Sequence, residues 1–479
     1  MSSAPNDLRS RLFWAATRST NLAQALRLAS IGCDATQQPL LDSFGDAMKS
    51  VTGATTGLES DLTAINETHG EEWLEFAAYI ALSRVGEVSA APLVRLESVA
   101  NSLLPTNSYV WPLLRAVRTN IATKAGEPSQ AALYLGQAET ALACVDSPAL
   151  RELCRPTVLR ARGLYFRLIG DYQKAFIALE SAQRIASELS MNLAPFIALD
   201  FGHLLWSSGQ VQRALEVHQD EAGREALRSV SREMAARSHL SAAKCAIDLS
   251  AFSTAEKELR AVEQLQRESE GISALVNGYY QLFSGELHLK SAASTSSNGF
   301  DLLEKACQIF ESMDPPYHAG LLDAKISITQ YAIRTDDYKR LFAILHNILE
   351  EAEQKGCLEA RARCLVFESS LFVSESPPLR AAFDDLVTRL HLINNPALLM
   401  QALANLFAYS LRYLEQPDQA FLMARLRNLQ EVLDESCYQD LYESYIEKRY
   451  SWAIENRLAE FLETDEKLFE DEGDKEPTT

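Results

Sequence analysis

Residues 161–182 read ARGLYFRLIGDYQKAFIALESA, and this stretch decides the fold. Small residues stand at Gly163, Gly170, Ala175 and Ala182, and Asp171-Tyr172 follows the second glycine. Small residues at such intervals within paired amphipathic runs let two helices cross closely without side-chain collision. The pattern recurs downstream at Gly202, Gly209, Val211 and Ala214, then at Ala243, Ser250, Phe252 and Ala255. Upstream it is carried by Gly126, Ala131 and Ala138. Aligning Gly126, Gly170, Gly209 and Ser250 gives spacings of 44, 39 and 41 residues. A helix pair repeated about every forty residues is a stack, in which each unit leans on its neighbours, and stacks mostly bind other molecules.

Composition agrees with a helical protein. The 479 residues are 47% hydrophobic and 23% charged, enough apolar surface for packing throughout. Ala and Leu dominate and Glu and Arg are plentiful, residues that lose little in a helix, and alternating strand-like runs are missing. The net charge of −20 weighs against general nucleic-acid binding, which calls for surplus Lys and Arg. Part of that charge is local: Glu460 to Glu476 holds nine acidic residues against Lys467 and Lys475, net −7. Such a run reads as a solvated end.

The eight cysteines form no CxxC pair and scatter through helical stretches, which fits a reduced, cytoplasmic setting. No apolar run reaches the eighteen residues a membrane span requires. Arg9, Arg11, Arg18 and Arg27 near the N-terminus resemble a transit peptide only faintly. They equally make an ordinary amphipathic helix with Leu12, Phe13, Ala16, Leu22 and Leu26 inward, and that reading is preferred.

The array resembles the tetratricopeptide repeat (TPR) family. The match is good at Gly163, Gly170, Asp171, Tyr172, Ala175 and Ala182, partial at Gly202, Gly209 and Ala214, and weaker around Ala243. It is clearest over residues 110–262. The spacing exceeds that family's 34 residues, which leaves a HEAT-like or mixed helical repeat open. The resemblance implies an all-α, right-handed α-solenoid of antiparallel helix pairs with a period of about 40. It also implies that the first helix of each pair lines a groove. Carried over, this picks Asn120 and Lys124, then Arg160, Leu164 and Arg167, then His203 and Trp206, then Arg237, Lys244 and Asp248. On an acidic protein this implied stripe is locally basic, and Arg suits bidentate capture of carboxylates. The expected ligand is another protein or peptide, acidic or ending in a free carboxylate. The plainer alternative is a set of exposed helix residues paired with neighbouring Glu. The acidic end is itself a segment such a groove could hold in cis.

Residues 1–65 read as an N-terminal helical cap, with runs at Leu8–Ile31 and Leu40–Val51 and a loop at Thr52–Gly57. Residues 66–355 read as helical repeats with a loop insertion at 291–299. Residues 356–461 read as C-terminal helical repeats or a capping module, and 462–479 as an acidic disordered tail. Gly278 and Gly285 compete for the close-contact position of one repeat.

No HExxH, Cys/His ligand spacing, phosphate loop or GxSxG elbow occurs. The expectation is therefore a non-catalytic scaffold or adaptor with no cofactor and no metal. A ligand- or peptide-responsive regulatory subunit acting on a separate effector is the alternative. An enzyme on a helical scaffold, with 291–299 as a lid, comes third.

Overall fold

Every regular element among the described residues is a helix. The computed structural model describes residues 7–19, 22–30, 58–85, 90–268, 273–291, 297–313, 316–332, 338–373, 380–413, 416–432, 438–439 and 442–447. The expected helix at 40–51, the loop at 52–57, residues 292–296 of the insertion and the acidic tail lie outside them. The chain divides into two packed units. One comprises Met1–Leu204, Gln212–Ala246 and Ser253–Val276; the other comprises Leu205–Val211, Ile247–Phe252 and Asn277–Thr479.

The first unit opens with α1 (Leu8–Ala16), α2 (Leu22–Ser30), α3 (Leu58–His69), α4 (Glu71–Val85) and α5 (Ala90–Leu103). Helix pairs follow: α6 (Val110–Lys124) with α7 (Pro128–Cys144), then α8 (Pro148–Leu168) with α9 (Tyr172–Glu188). The third pair sets α10 (Ala194–Ser207) against α11 (Val211–Gln219) and α12 (Glu221–Val230). The fourth sets α13 (Arg232–Asp248) against α14 (Phe252–Glu268).

The Gly-Asp-Tyr signature explains how a pair closes. Gly170 adopts φ 81°, a left-handed value that a Cβ would strain. That geometry lets the Asp171 N–H reach back to the Phe166 carbonyl at 2.9 Å, satisfying the end of α8. The Asp171 carboxylate then accepts from the Lys174 N–H at 3.1 Å and caps α9. Tyr172, 3% exposed, packs into the core beneath the turn. Gly126, Gly209 and Ser250 are left-handed too, at 74°, 93° and 58°, so all four aligned turn residues do the same job. Gly163 supplies the close crossing: a Cβ there would lie 2.6 Å from Leu179 Cγ, so α8 and α9 touch only because that position has no side chain.

The N-terminal helix is part of the core rather than an appendage. Leu12 and Phe13 of α1 are buried, and Phe13 stacks on Tyr109 with centroids 4.5 Å apart. Arg9 forks onto the buried carboxylate of Glu75 and bonds Asp146 at 2.9 Å. The Thr17 carbonyl accepts from the Asn192 N–H at 2.8 Å. Helix α4 is buried nearly all round, from Trp73 and Leu74 to Ala81 and Leu82.

The second unit contains α15 (Ala274–Ser291, whose first three residues belong to the first unit), α16 (Ser297–Ser312), α17 (His318–Ala332) and α18 (Tyr338–Gln354). After these come α19 (Leu358–Ser370), α20 (Arg380–Arg389), α21 (Pro396–Tyr413) and α22 (Gln416–Val432). Gly278 and Gly285 both prove necessary. Gly278 lies under the Phe310 ring, while Gly285 lies 2.9 Å, measured from a notional Cβ, from the Gly299 carbonyl. The forty-residue period continues into the stretch where the sequence signature fades. Asp323 of α17 pairs with Arg363 of α19 at 2.8 Å, and Ser369 accepts from Asn405 of α21 at 3.0 Å. Ser327 likewise donates to the buried Glu286 at 2.7 Å.

Candidate functional site

The first helices of successive pairs bring three of the expected residues, Arg167, His203 and Arg237, together in the first unit, and bonds across one repeat spacing fix Arg160 and His203. Arg160 of α8 pairs with Asp200 of α10 at 2.5 Å, forty residues on. His203 of α10 bonds the Ser241 hydroxyl of α13 at 2.8 Å through Nε2. Arg237 of α13 pairs with Glu233 one turn earlier at 2.5 Å.

Arg167, His203 and Arg237 converge. Burial is the main reason the His203 imidazole is pushed down to about 3, and the fields of Arg167 and Arg237 add to it. The ring is therefore neutral at physiological pH, with two cations beside it. Among the described residues no carboxylate pairs with Arg167. Lys124 is exposed at the end of α6, and Lys244 is partly buried on α13. Asn120 is 1% exposed and Leu164 is 4% exposed, so both belong to the body of the helix pairs rather than to an open face. Trp206 falls in the second unit, where its indole N–H donates to Asp248 at 3.0 Å and Lys290 approaches the same carboxylate at 3.5 Å.

A second basic feature of the first unit was not expected from the sequence. Helices α7, α8 and α9 line an open hollow of about 500 Å³. Arg155, Arg162, Lys174 and Arg184 rim it, each beside a carboxylate: Glu152 at 3.5 Å, Glu139 at 2.6 Å, Asp171 at 2.6 Å and Glu188 at 3.2 Å respectively. Its floor includes Phe166, over whose ring Lys174 sits at 5.4 Å, and Ile177, which is 59% exposed. Lys174 and Arg184 stand on the second helix of the pair, where a search confined to first helices does not look.

Thiol chemistry is disfavoured by environment at two of the described cysteines. Burial pushes the Cys307 thiol up to about 11 and Cys364 up to about 12, leaving them protonated and weakly nucleophilic. Among the described residues, no group of three or more His, Cys, Asp or Glu side chains is placed to hold a metal, and no helix is long and apolar enough to cross a membrane.

No family model matches the chain, and no curated protein matches it. Among solved structures, a Rap protein complexed with competence and sporulation factor is similar at 14% identity, covering 72% of this chain and 98% of that one, with a TM-score of 0.43. A signal transduction ATPase with numerous domains from Pyrococcus horikoshii, which carries a tetratricopeptide repeat sensor, is similar at 10% identity. It covers 96% of this chain and 90% of that one, with a TM-score of 0.37. Likeness at this level adds nothing to what the helix pairs themselves display.

Proposed function

We propose that this chain is a non-catalytic interaction protein that captures an acidic peptide segment of a partner on the first-helix face of its first unit. The observation that supports this is the convergence of Arg167, His203 and Arg237 from three successive first helices, with Arg167 left without a carboxylate. A guanidinium in that setting offers two parallel donors to a carboxylate, and the neutral imidazole beside it, bonded to the Ser241 hydroxyl, adds no charge of its own. Arg160 serves the repeat contact to Asp200, so it is a poor residue for testing binding. Arg167 is the right one.

A peptide-display selection against the full chain should enrich acidic sequences. Their affinity should fall at least ten-fold in Arg167→Glu, while Lys174→Glu in the α7–α9 hollow leaves it unchanged. Enrichment of neutral or basic sequences would reject the reading, and loss only in Lys174→Glu would move the site to that hollow. A regulatory role, in which a small ligand governs partner binding, is favoured by one further observation, the interruption between α11 and α12.

A further inference from the structure

The second helix of the third pair is broken. Asp220 interrupts it between α11 and α12, its carboxylate accepting from the Gly223 N–H at 2.7 Å to start a new helix. The corresponding helices α9 and α14 run unbroken over 17 residues each. At the break, α9, α10, α11, α12 and Ser238 of α13 line a half-open cavity of about 270 Å³. Its walls are mostly apolar, including Leu199, Phe201 and Leu227.

Its polar lining is unusual. His218 is 1% exposed, and neither ring nitrogen has a partner. Gln183 Oε1 and Arg224 Nε are also buried and unpartnered. Each such atom costs about 1–3 kcal/mol when nothing meets it. A core that only needed filling would carry leucine here. The preceding pair does: Leu179 faces Gly163 as His218 faces Gly202, at the same sixteen-residue offset. The imidazole, the amide and the guanidinium are thus kept at a stability cost around one apolar void, the arrangement of a small-molecule site.

Charge and size narrow the ligand. Arg224 already holds Glu258 at 2.8 Å, and Asp220 is committed to its cap, so no charge is left over for an ionic ligand. Burial keeps His218 well below its usual range and therefore neutral, one nitrogen donating and the other accepting. The unmet groups are two acceptors, Gln183 Oε1 and one imidazole nitrogen, and two donors, Arg224 Nε–H and the other imidazole nitrogen. Scaling from a cavity of about 150 Å³ that holds benzene, 270 Å³ takes about eleven non-hydrogen atoms.

We infer that this cavity binds a small neutral ring compound that carries an N–H donor beside a carbonyl acceptor, as a bicyclic lactam does. The site adjoins the proposed peptide face, the His203 and His218 rings lying 5.3 Å apart, but its test does not depend on that reading.

The probes are 2-quinolone, which has both groups, quinoline, which lacks the donor and the carbonyl, and 1-naphthoate, which adds charge. Calorimetric titration of the full chain should give a submillimolar Kd for 2-quinolone, with quinoline at least ten-fold weaker and 1-naphthoate undetectable. Ala198→Trp, which fills the void, should abolish 2-quinolone binding. Gln183→Leu should erase the preference for 2-quinolone while leaving quinoline affinity within about two-fold, and this arm holds even if the tryptophan variant misfolds. Equal affinity for 2-quinolone and quinoline, unchanged binding in folded Ala198→Trp, or no binding up to the solubility limit (a cavity that holds only water) would each overturn the assignment.

Discussion

The hairpins α8/α9 and α10/α11–α12 start from the same plan and end differently. Both cross at a glycine, Gly163 in one and Gly202 in the other, and both close on a left-handed glycine, Gly170 and Gly209. In the first, Leu179 fills the crossing and the second helix runs on unbroken. In the second, His218 fills the crossing, and the helix breaks one residue after α11 ends. The repeat scaffold fixes where helices meet; it leaves the chemistry of the meeting point free to vary. One hairpin spends that freedom on stability and its neighbour on unsatisfied polar groups.

The comparison can be broken most severely at the leucine hairpin. Gly163→Val drives a branched side chain into Leu179 and should cost about 3 kcal/mol, read as a lower urea midpoint with unchanged slope. An effect of comparable size separates the hairpins by pH. His203 and His218 are both held below their usual range by burial, so below about pH 6.5 the unfolded chain takes up protons that the native chain refuses. Stability should therefore fall with acidification by about 1.4 kcal/mol per pH unit for each histidine. Glu258 adds a second window. Burial alone would raise its carboxyl, but bonds from His239, Gln219 and Arg224 bring it down to about 2, so its contribution is lost between about pH 4.5 and 2. Urea melts from pH 7.5 to 5 test the first window, and a flat profile there would contradict the buried neutral pair.

Converting one hairpin into the other is gentler. His218→Leu should stabilise the protein by about 1–2 kcal/mol and remove one histidine's share of the acid slope. A destabilised His218→Leu would mean the imidazole has partners in solution. The smallest effect concerns the next turn, where Ser250 adopts φ 58° in the place glycine holds in the other hairpins. Ser250→Gly should raise stability by about 0.5–1 kcal/mol, and Ser250→Val should lower it by more.

Much of this architecture was legible because helix pairs leave small-residue signatures. Gly126, Gly170, Gly209 and Ser250 stand out in the sequence, and each takes the backbone conformation its alignment implies. Ser190 and Gly356 close turns between pairs, at φ 52° and 66°, and the forty-residue alignment, which registers the turns within pairs, does not reach them. The later pairs were illegible for another reason. Their neighbours are joined by contacts such as Asp323–Arg363 and Ser369–Asn405, polar residues with no distinctive spacing of their own. Of the candidate stripe, residue type suggested the basic character, but only packing reveals that Arg160 is committed to Asp200 and Asn120 is covered. The cavity had a readable sign, Asp220 with Gly223 inside an otherwise helical run. It takes the Gly163–Leu179 contact to see that His218 stands in a leucine's place.

The docking of α1 carries a consequence for synthesis. Thr17 accepts its bond from Asn192, and Arg9 reaches Asp146, so α1 waits for some of its partners until much later in synthesis. At about 5–20 residues per second the intervening chain takes roughly 10–35 s to emerge. Until Tyr79 and Tyr109 have emerged, Phe13 lacks the rings it packs against, and the nascent chain presents the apolar face of α1 to whatever chaperone stands at the ribosome exit.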